Sequence, residues 1–346
     1  MMQMTFRSHI TPMILIVLFC LLTMDILPAI ARQYAITGRT MGTFYSVKFI
    51  STTEQSPSLW QEKVNTRLKE VNAKLSMYDP TSEISRFNQY PANRPFKLST
   101  DFYQVLLESS HLYTITHGAW DGTVKPLVDL WGFGTKQKTD TLPETGQIQE
   151  ALARTGFHKL ALTDHQLIKN EATITLDLGS IAKGYGVDAI ARLFSAFGIK
   201  NFLVEIGGEL VGSGTNKHGD PWVVGISKPE KNGLSQELYK TIVLKDMAIA
   251  TSGNYRNFFE QNGRVFSHII DPKTGVPVGN QVVSTSVIAK NCTLADGLAT
   301  ALMVMDIQKG IALVNSLVNT ECLIIQKQGN EFISTRSDGF EVFEKK

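Results

Sequence analysis

Three short stretches of this sequence carry residue types that could do chemistry. The first is TLDLGSIAKGYGVDAIARLF, residues 175–194, where alternating apolar residues lead through glycines and Lys183 into an amphipathic run. Strand, glycine turn, lysine and helix is the layout of a phosphate-binding loop. Glycines let the backbone approach a ligand closely, and the first turn of a helix offers unpaired N–H groups to an anion. Lys183 would add a point charge, and Asp177 a carboxylate at the strand end. Neither standard form is present, however. A Walker loop places Ser or Thr directly after its lysine, whereas Gly184 follows Lys183, and the glycines do not fall in the order G-x-G-x-x-G. Taken alone, an ordinary strand-to-helix turn accounts for the same glycines.

The second stretch is NCTLADGLATALMVM, residues 291–305. On a helix, Asp296 and Thr300 stand one turn apart on one face. A carboxylate and a hydroxyl so placed suit a hard, oxygen-loving cation such as Mg²⁺, which keeps open positions for phosphate and water. A structural alternative is equally available. Thr293-x-x-Asp296 fits a capping box, and Thr300 could bond back to the carbonyl of residue 296. The small residues Ala295, Gly297, Ala299 and Ala301 would admit a bulky neighbour.

The third is SHIIDPKTGVPV, residues 267–278, a strand entering a D-P-x-T-G turn. His268 on that strand is a candidate proton carrier, although a strand histidine is more commonly a packed or solvated residue. Just upstream, Ser252, Gly253, Asn254 and Arg256 cluster at another strand end and could meet an anion.

Elements must exist to hold these residues. Residues 34–50 alternate apolar and polar, which predicts a strand bent at Gly42. Residues 58–76 place Trp60, Val64, Leu68, Val71 and Leu75 on one helical face, and Thr100 to Thr116 repeats that spacing. The stretch 135–148 reads as a surface connection. Strands are expected at 172–178 and 201–206 around a helix at 186–197. Short β runs follow from 222 to 290, then a helix at 293–306 and a final strand pair, CLIIQK and EFIST. No convincing linker interrupts the pattern, so the expectation is one α+β domain over residues 32–346.

Composition narrows the classes of function. With 43% hydrophobic and 19% charged residues the chain can bury a sizeable core. A formal charge of +2 gives no reason to expect nucleic acid as a partner. Arg7 and His9 precede an apolar run from Met13 to Leu22, and Pro28-Ala29-Ile30-Ala31 follows. That is the pattern of a secretory signal peptide over residues 1–31, too short to cross a bilayer, which takes about 20 residues. Cys20 raises lipid attachment as a second possibility, against which the bulky Phe19 stands. After cleavage, Cys292 and Cys322 remain and could pair in an oxidising compartment, but spacing says nothing about their geometry.

Together these segments resemble the FAD:protein FMN transferases, the ApbE-like family. The resemblance runs through MGT at 41–43, SMYDPTSEISRFN at 76–88, GAWDGTVKPLVDLWGFG at 118–134 and LDLGSIAKGYGVD at 176–188. It continues through VEIGGEL at 204–210, ATSGNYRN at 250–257, SHIIDPKTG at 267–275 and LADGLATALMV at 294–304. Eight motifs in one order make it specific.

The resemblance implies a periplasm-facing enzyme of T-fold type, mixed or antiparallel in its sheets. It implies FAD as substrate, Mg²⁺ as cofactor, and transfer of FMN to a threonine hydroxyl of a target protein with release of AMP. By position it implies FAD contacts at Met41, Tyr78, Ala119, Trp120, Asp121, Asp177, Lys183, His268 and Ile270. The metal would lie near the backbone of Ser180 and the side chains of Asp296 and Thr300, and Asp296 with His268 would serve catalysis. His268 could take the threonine proton or orient a phosphate. Of the aromatics, Tyr78 is expected to touch the ligand, and Trp120 suits either contact or core. Targets of this family include subunits of membrane redox complexes such as the sodium-pumping NADH:quinone oxidoreductase, which fits a protein at the periplasmic face of the inner membrane. Hydrolysis of FAD to FMN and AMP, or flavin carriage without turnover, are the competing functions.

Overall fold

The structure, a computed structural model, describes residues 31–345 except 135–140, 231–236, 256 and 262. All of the expected signal segment but Ala31, including Cys20, lies outside the described residues, as does Arg256. No helix among the described residues is long and apolar enough to cross a membrane.

Eight strands form one antiparallel sheet: β1 Arg32–Thr40, β2 Thr43–Ser51, β3 Asn201–Ile206, β4 Glu209–Ser213, β5 Met247–Gly253, β6 Val282–Ala289, β7 Glu321–Gln328 and β8 Glu331–Arg336. Each pairs with the one before it, so the order in space is the order along the chain. Apart from a 3-10 turn at Phe340–Phe343 after the last strand, the other elements are insertions between neighbours. Between β2 and β3 come α1 Pro57–Leu75, α2 Glu83–Asn88, α3 Thr100–Ile115, α4 Lys125–Leu130, α5 Thr145–Ala153 and α6 Gly179–Ala196. A small three-stranded sheet, Phe96–Lys97, Leu160–Thr163 and Gln166–Lys169, lies among them. One hairpin, Trp222–Ser227 with Leu238–Leu244, separates β4 from β5, and another, Phe258–Gln261 with Arg264–Ser267, separates β5 from β6. Helices α7 Cys292–Val304 and α8 Ile307–Ser316 separate β6 from β7. This is the α+β class expected from the sequence.

The central strands are covered on both faces. Successive side chains point to opposite sides of a sheet. Val47, Val204, Ala250, Val287 and Ile324 accordingly join the core beneath the helices. Ile249, Ile288, Leu323 and Ile325 pack on Trp222, Val224, Ile242 and Leu244 of the first hairpin. α1 and α3 form as their spacing predicts. Ser56 caps Leu59 N and Ser99 caps Phe102 N, and α1 buries Trp60, Val64, Leu68, Val71 and Leu75.

The structure departs from several expectations. Residues 34–50 are not one bent strand but a hairpin, β1 and β2. Its two-residue turn, Met41-Gly42, has positive φ at both positions (49° and 72°), the geometry that matches strand twist. Residues 172–178 form no strand. Ile174, Leu176 and Leu178 are fully buried, but the segment is held by single contacts. The Asn88 side chain bonds both the N–H and the carbonyl of Leu176, and the buried Lys169 ammonium reaches the carbonyls of Asn88, Ala172 and Ile174. The following helix begins at Gly179, not at 186. Part of the expected connection at 135–148 lies outside the described residues, and from Thr145 it is α5. Cys292 and Cys322 are buried free thiols.

α6 and α7 cross closely because glycine lies at the contact. A Cβ at Gly184 would fall on the carbonyl oxygen of Cys292 and crowd Asp296 Cβ at 2.8 Å. Gly184→Ala is therefore expected to push the helices apart and destabilise the protein by about 1–3 kcal/mol, as overpacking does. A melting temperature unchanged within about 1 °C would contradict this packing argument.

Candidate active site

The hairpin turns Met41-Gly42 and Gly207-Gly208 lie at one end of the sheet, where Gly207 N bonds Phe44 O at 3.0 Å. That same end carries the start of β4 and the end of β5. It opens into a cavity of about 940 Å³, closed elsewhere by the loop at 119–124, the N-terminus of α6, α7 and the segment 268–270. Its size is at the upper end for small-ligand pockets and suits a dinucleotide.

Lys183 stands at the centre of the polar wall. Its Nζ is 2.7 Å from Glu209 Oε1 and 3.7 Å from Asp296 Oδ1. Both carboxylates are almost wholly buried. Asp296 Oδ2 accepts from the amide of Gly184 at 2.9 Å, while Glu209 Oε2 is buried with no hydrogen-bond partner. When both are ionised, two carboxylates around one ammonium leave one negative charge uncompensated. Burial pulls the Lys183 ammonium towards neutrality, but Asp296 and Glu209 more than offset this and hold its pKa above the ordinary lysine value. Burial, then the charge of Asp296, pushes Glu209 up to about 7. Burial likewise raises Asp296.

The capping-box alternative does not describe α7. Its N-cap is Asn291, whose side chain accepts from Leu294 N. Thr293 instead donates to Asp188, whose carboxylate also accepts from Cys292 N and Thr293 N. Asp296 is thus left to face Lys183 and Gly184. Thr300 does make the expected back-bond to the Asp296 carbonyl, at 3.3 Å, yet its hydroxyl also lies 3.0 Å from Ser252 Oγ, and all three residues line the cavity.

The remaining candidates divide. Tyr78, Ala119, Asp177, Ser180, His268 and Ile270 line the cavity, Tyr78 with 76% of its surface exposed. Trp120 and Asp121 also line it but are tied up in the wall. The Trp120 ring is buried, and its Nε1 donates to Ser180 Oγ at 2.9 Å. Asp121 accepts from Thr123 N, Thr123 Oγ1 and Phe157 N, so its carboxylate shapes the loop. Asp177 Oδ1 accepts from Gly179 N at 2.9 Å, closing the start of α6. Met41 does not line the cavity. Its thioether rests on Gly186 in α6, which explains why a methionine holds a turn position with positive φ.

His268 Nδ1 lies 3.0 Å from the carbonyl oxygen of Asn257. A carbonyl can only accept, so Nδ1 carries the proton and Nε2 keeps a lone pair. Burial lowers the pKa of this ring below the usual histidine value, and the charge of Lys183 acts in the same direction.

The chain matches the ApbE family over residues 41–324. The chain belongs to this family. The FAD:protein FMN transferase of Vibrio cholerae is 42% identical over 90% of this chain and 93% of that one. The FAD:protein FMN transferase of Haemophilus influenzae is 39% identical over 89% and 91%. Among solved structures, flavin transferase ApbE from Vibrio cholerae aligns with a TM-score of 0.83 at 40% identity, covering 90% of this chain and 99% of that one. Pseudomonas stutzeri flavinyl transferase ApbE in its apo form gives 0.82 at 34% identity, covering 90% and 97%.

Glu209 and Asp188 are the site residues that motif reading left without a role, and Ser252, expected as an anion contact, lines the cavity beside Thr300. Glu209 had one usable signal, an acidic residue directly after Gly207-Gly208 at the start of a strand. Its raised pKa gives a test. A carboxyl whose folded pKa exceeds its unfolded value stabilises the fold below the unfolded pKa and loses that contribution as pH rises through the folded one. In metal-free buffer the contribution of Glu209 is therefore lost between the ordinary glutamate value of 4.5 and about 7. Glu209→Gln should gain stability relative to the parent chain across that window. A difference in melting temperature that stays flat from pH 4.5 to 7 would contradict the assignment.

Proposed function

We propose that this chain transfers the FMN half of FAD to a threonine hydroxyl of a target flavoprotein and releases AMP, with Mg²⁺ as its metal. The observation that carries this reading is the Glu209–Lys183–Asp296 group on the wall of a dinucleotide-sized cavity, in a chain of the ApbE family. That group carries surplus negative charge once both carboxylates are ionised, and it has an unpartnered carboxylate oxygen. This is what a divalent cation would complete.

The donor set fits a hard cation: the Asp296 carboxylate and the Thr300 hydroxyl, with the Ser252 hydroxyl beside them. Backbone near Ser180 fits as well. A regular helix would bond the Gly184 amide to the Ser180 carbonyl, and here Asp296 competes for that amide. When bound, Mg²⁺ would neutralise charge on the diphosphate. Lys183 would supply a second positive charge, already oriented by two carboxylates so that little reorganisation is needed. Tyr78 offers an exposed ring for stacking at the cavity mouth.

In the transfer step the threonine oxygen attacks the phosphorus on the FMN side. A new P–O bond forms, the bridging P–O bond breaks, and AMP leaves with its phosphate. The threonine proton passes to His268 Nε2, the nitrogen left with a lone pair. No enzyme-bound covalent intermediate is needed, because the acceptor hydroxyl is itself the nucleophile. Water in place of threonine would give FMN and AMP from the same site.

Export through residues 1–31 to the periplasm, and action on subunits of sodium-pumping NADH:quinone oxidoreductase type at the inner membrane, belong to the same proposal. They rest on the N-terminal pattern and on the kinship described above.

Purified protein spanning residues 32–346, given FAD, Mg²⁺ and an acceptor domain, should yield acceptor carrying covalent FMN, read as fluorescence in a denaturing gel. Asp296→Ala should cut that rate about 100-fold or more while the protein stays folded. Free FMN without labelled acceptor would favour the hydrolase, and intact FAD despite binding would favour the carrier.

The pH profile tests His268 separately. Its lowered pKa keeps the ring neutral below the usual histidine value of 6.5, so the acid limb of kcat/KM should fall below pH 6.5. His268→Asn should abolish that limb and cost about 10²–10⁴-fold in rate. A limb above pH 6.5, or one that survives the substitution, would remove His268 from proton transfer.

A further inference from the structure

The cavity that holds Lys183 does not end at the helix-covered face of the sheet. It continues around the Gly207-Gly208 turn to the opposite face, where Phe44, Leu203, Glu205 and Leu210 line it. Successive side chains of a strand point to opposite sides. Tyr45, Val204 and Ile206 belong to the core beneath the helices, so Phe44, Leu203 and Glu205 lie on the other side. Leu203 and Leu210 there pack against the core under the hairpin Trp222–Ser227 with Leu238–Leu244.

Val224, Gly225, Ile226 and Ser227 of that hairpin line the same cavity. Four consecutive strand residues cannot all aim their side chains one way. Val224 and Ile226 are buried in the hairpin core, while Gly225 and Ser227 are exposed. What the four share towards the cavity is the edge of their strand. That edge is open, because the hairpin is a sheet of two strands only. Its far edge is covered by the end of the chain, where Lys345 N donates to the Thr241 carbonyl at 2.9 Å and Glu344 bridges Ile242. In an antiparallel pair, opposed residues either exchange both hydrogen bonds or turn both groups outward. Thr241 turns its carbonyl outward to Lys345 and stands opposite Gly225. Gly225 therefore turns its own N–H and carbonyl to the open edge. Among the described residues, neither group has a hydrogen-bond partner.

We infer that the acceptor polypeptide binds as an added strand along Val224–Ser227, pairing its backbone with the N–H and carbonyl of Gly225. The inference rests on the transfer reading above, whose second substrate is a polypeptide. The edge asks for one acceptor and one donor side by side, and a single residue of extended backbone supplies both. Phe44, 64% exposed and lining the same cavity, offers an apolar contact to a side chain of the added strand. Lys183, Asp296 and His268 line that cavity too, so a chain held at the edge has an open path to them. Lys183 and Asp296 come from α6 and α7, on the helix-covered face. Diphosphate and acceptor therefore approach the site from different sides of the sheet.

The test sets Gly225→Pro against Gly225→Ala in the chain from residue 32 to 346. The probe is a purified acceptor flavoprotein domain with one modifiable threonine. Both variants add a Cβ, which meets the exposed side chain of Leu238. Only proline removes the amide, and at an outward-facing edge position it breaks no ladder bond. Gly225→Pro should raise KM for the acceptor about tenfold, and Gly225→Ala should keep it within about twofold. The dissociation constant for FAD, followed by flavin fluorescence, should stay within about twofold in both. Hydrogen exchange in the parent chain gives a reading free of any substitution in it. An acceptor whose threonine is replaced by valine should slow exchange of the Gly225 amide, and FAD alone should leave it fast. If the parent chain labels the acceptor but Gly225→Pro behaves like Gly225→Ala, the docking assignment is wrong and the transfer reading stands. The same holds if the acceptor leaves that amide unprotected. Protection by FAD alone, or by raised protein concentration alone, overturns the assignment too, because the dinucleotide or a second copy of the chain then holds the edge. If the parent chain leaves the acceptor unlabelled, the transfer reading itself falls and this assignment with it.

Discussion

Two buried carboxylates held around one ammonium, at the point where α6 and α7 cross, are the constraint on which the rest of this structure depends. Burying such a group costs desolvation that a salt bridge only partly returns, and here the charges do not balance. The arrangement persists because it is built into the packing. Asp296 gives one oxygen to the Gly184 amide and turns the other towards Lys183, so the helix contact and the charged site are one object. Gly184 allows that approach, and Gly297 allows another on the same helix, where a Cβ would meet Ile181 at 2.7 Å. Moving α7 by the width of a methyl group would move the carboxylate with it.

Around that point the polar residues are arranged in depth. Asp188 takes the first amides of α7, and Asp177 takes the first amide of α6. Asp188 is buried and Asp177 half-buried, and both lie next to helix N-termini, where the helix dipole favours negative charge. Trp120 fixes Ser180, and Asp121 with Thr123 fixes the loop that brings Trp120 there. Trp120 and Asp121, which motif reading placed against the ligand, line the cavity while holding its wall together, and Met41 lies behind it. Lys183, Asp296, Thr300 and His268 face the open space with unspent valence.

The sequence made the long elements legible and blurred the short ones. α1 and α3 were readable because a serine cap and a regular apolar stripe coincide in each. The strand at 172–178 was misread for a physical reason: Ile174, Leu176 and Leu178 alternate like a half-buried strand, and they are buried. What is missing is a ladder partner, since Asn88 and Lys169 serve the backbone instead, and no local pattern announces such distant contacts. α2, α4 and the strand pair at 160–169 went unread because elements of four to six residues carry too little periodicity. The site divides the same way. Asp296 and Thr300 were visible as an i, i+4 pair, but only the fold shows that Asn291 takes the cap and frees Asp296. The pairing of Glu209 was not readable because its partner, Lys183, is 26 residues away in sequence and meets it through the fold.

The misplaced glycine turn also bears on how this site handles charge. A phosphate-binding loop spends its glycines in the loop, wrapping amides around the anion. Here Gly184 and Gly186 lie inside α6, where they admit the backbone of α7 and the thioether of Met41. Their amides are not offered as a cradle. The positive charge facing a diphosphate must then come from elsewhere, and Lys183 alone is already shared between two carboxylates. With both carboxylates ionised, the net charge of this wall is negative, the same sign as a diphosphate. In the proposed function a divalent ion would reverse that sign and make the wall a binding surface. The glycines thus act indirectly, by letting two helices come close enough to bring Asp296 beside Lys183 and Glu209.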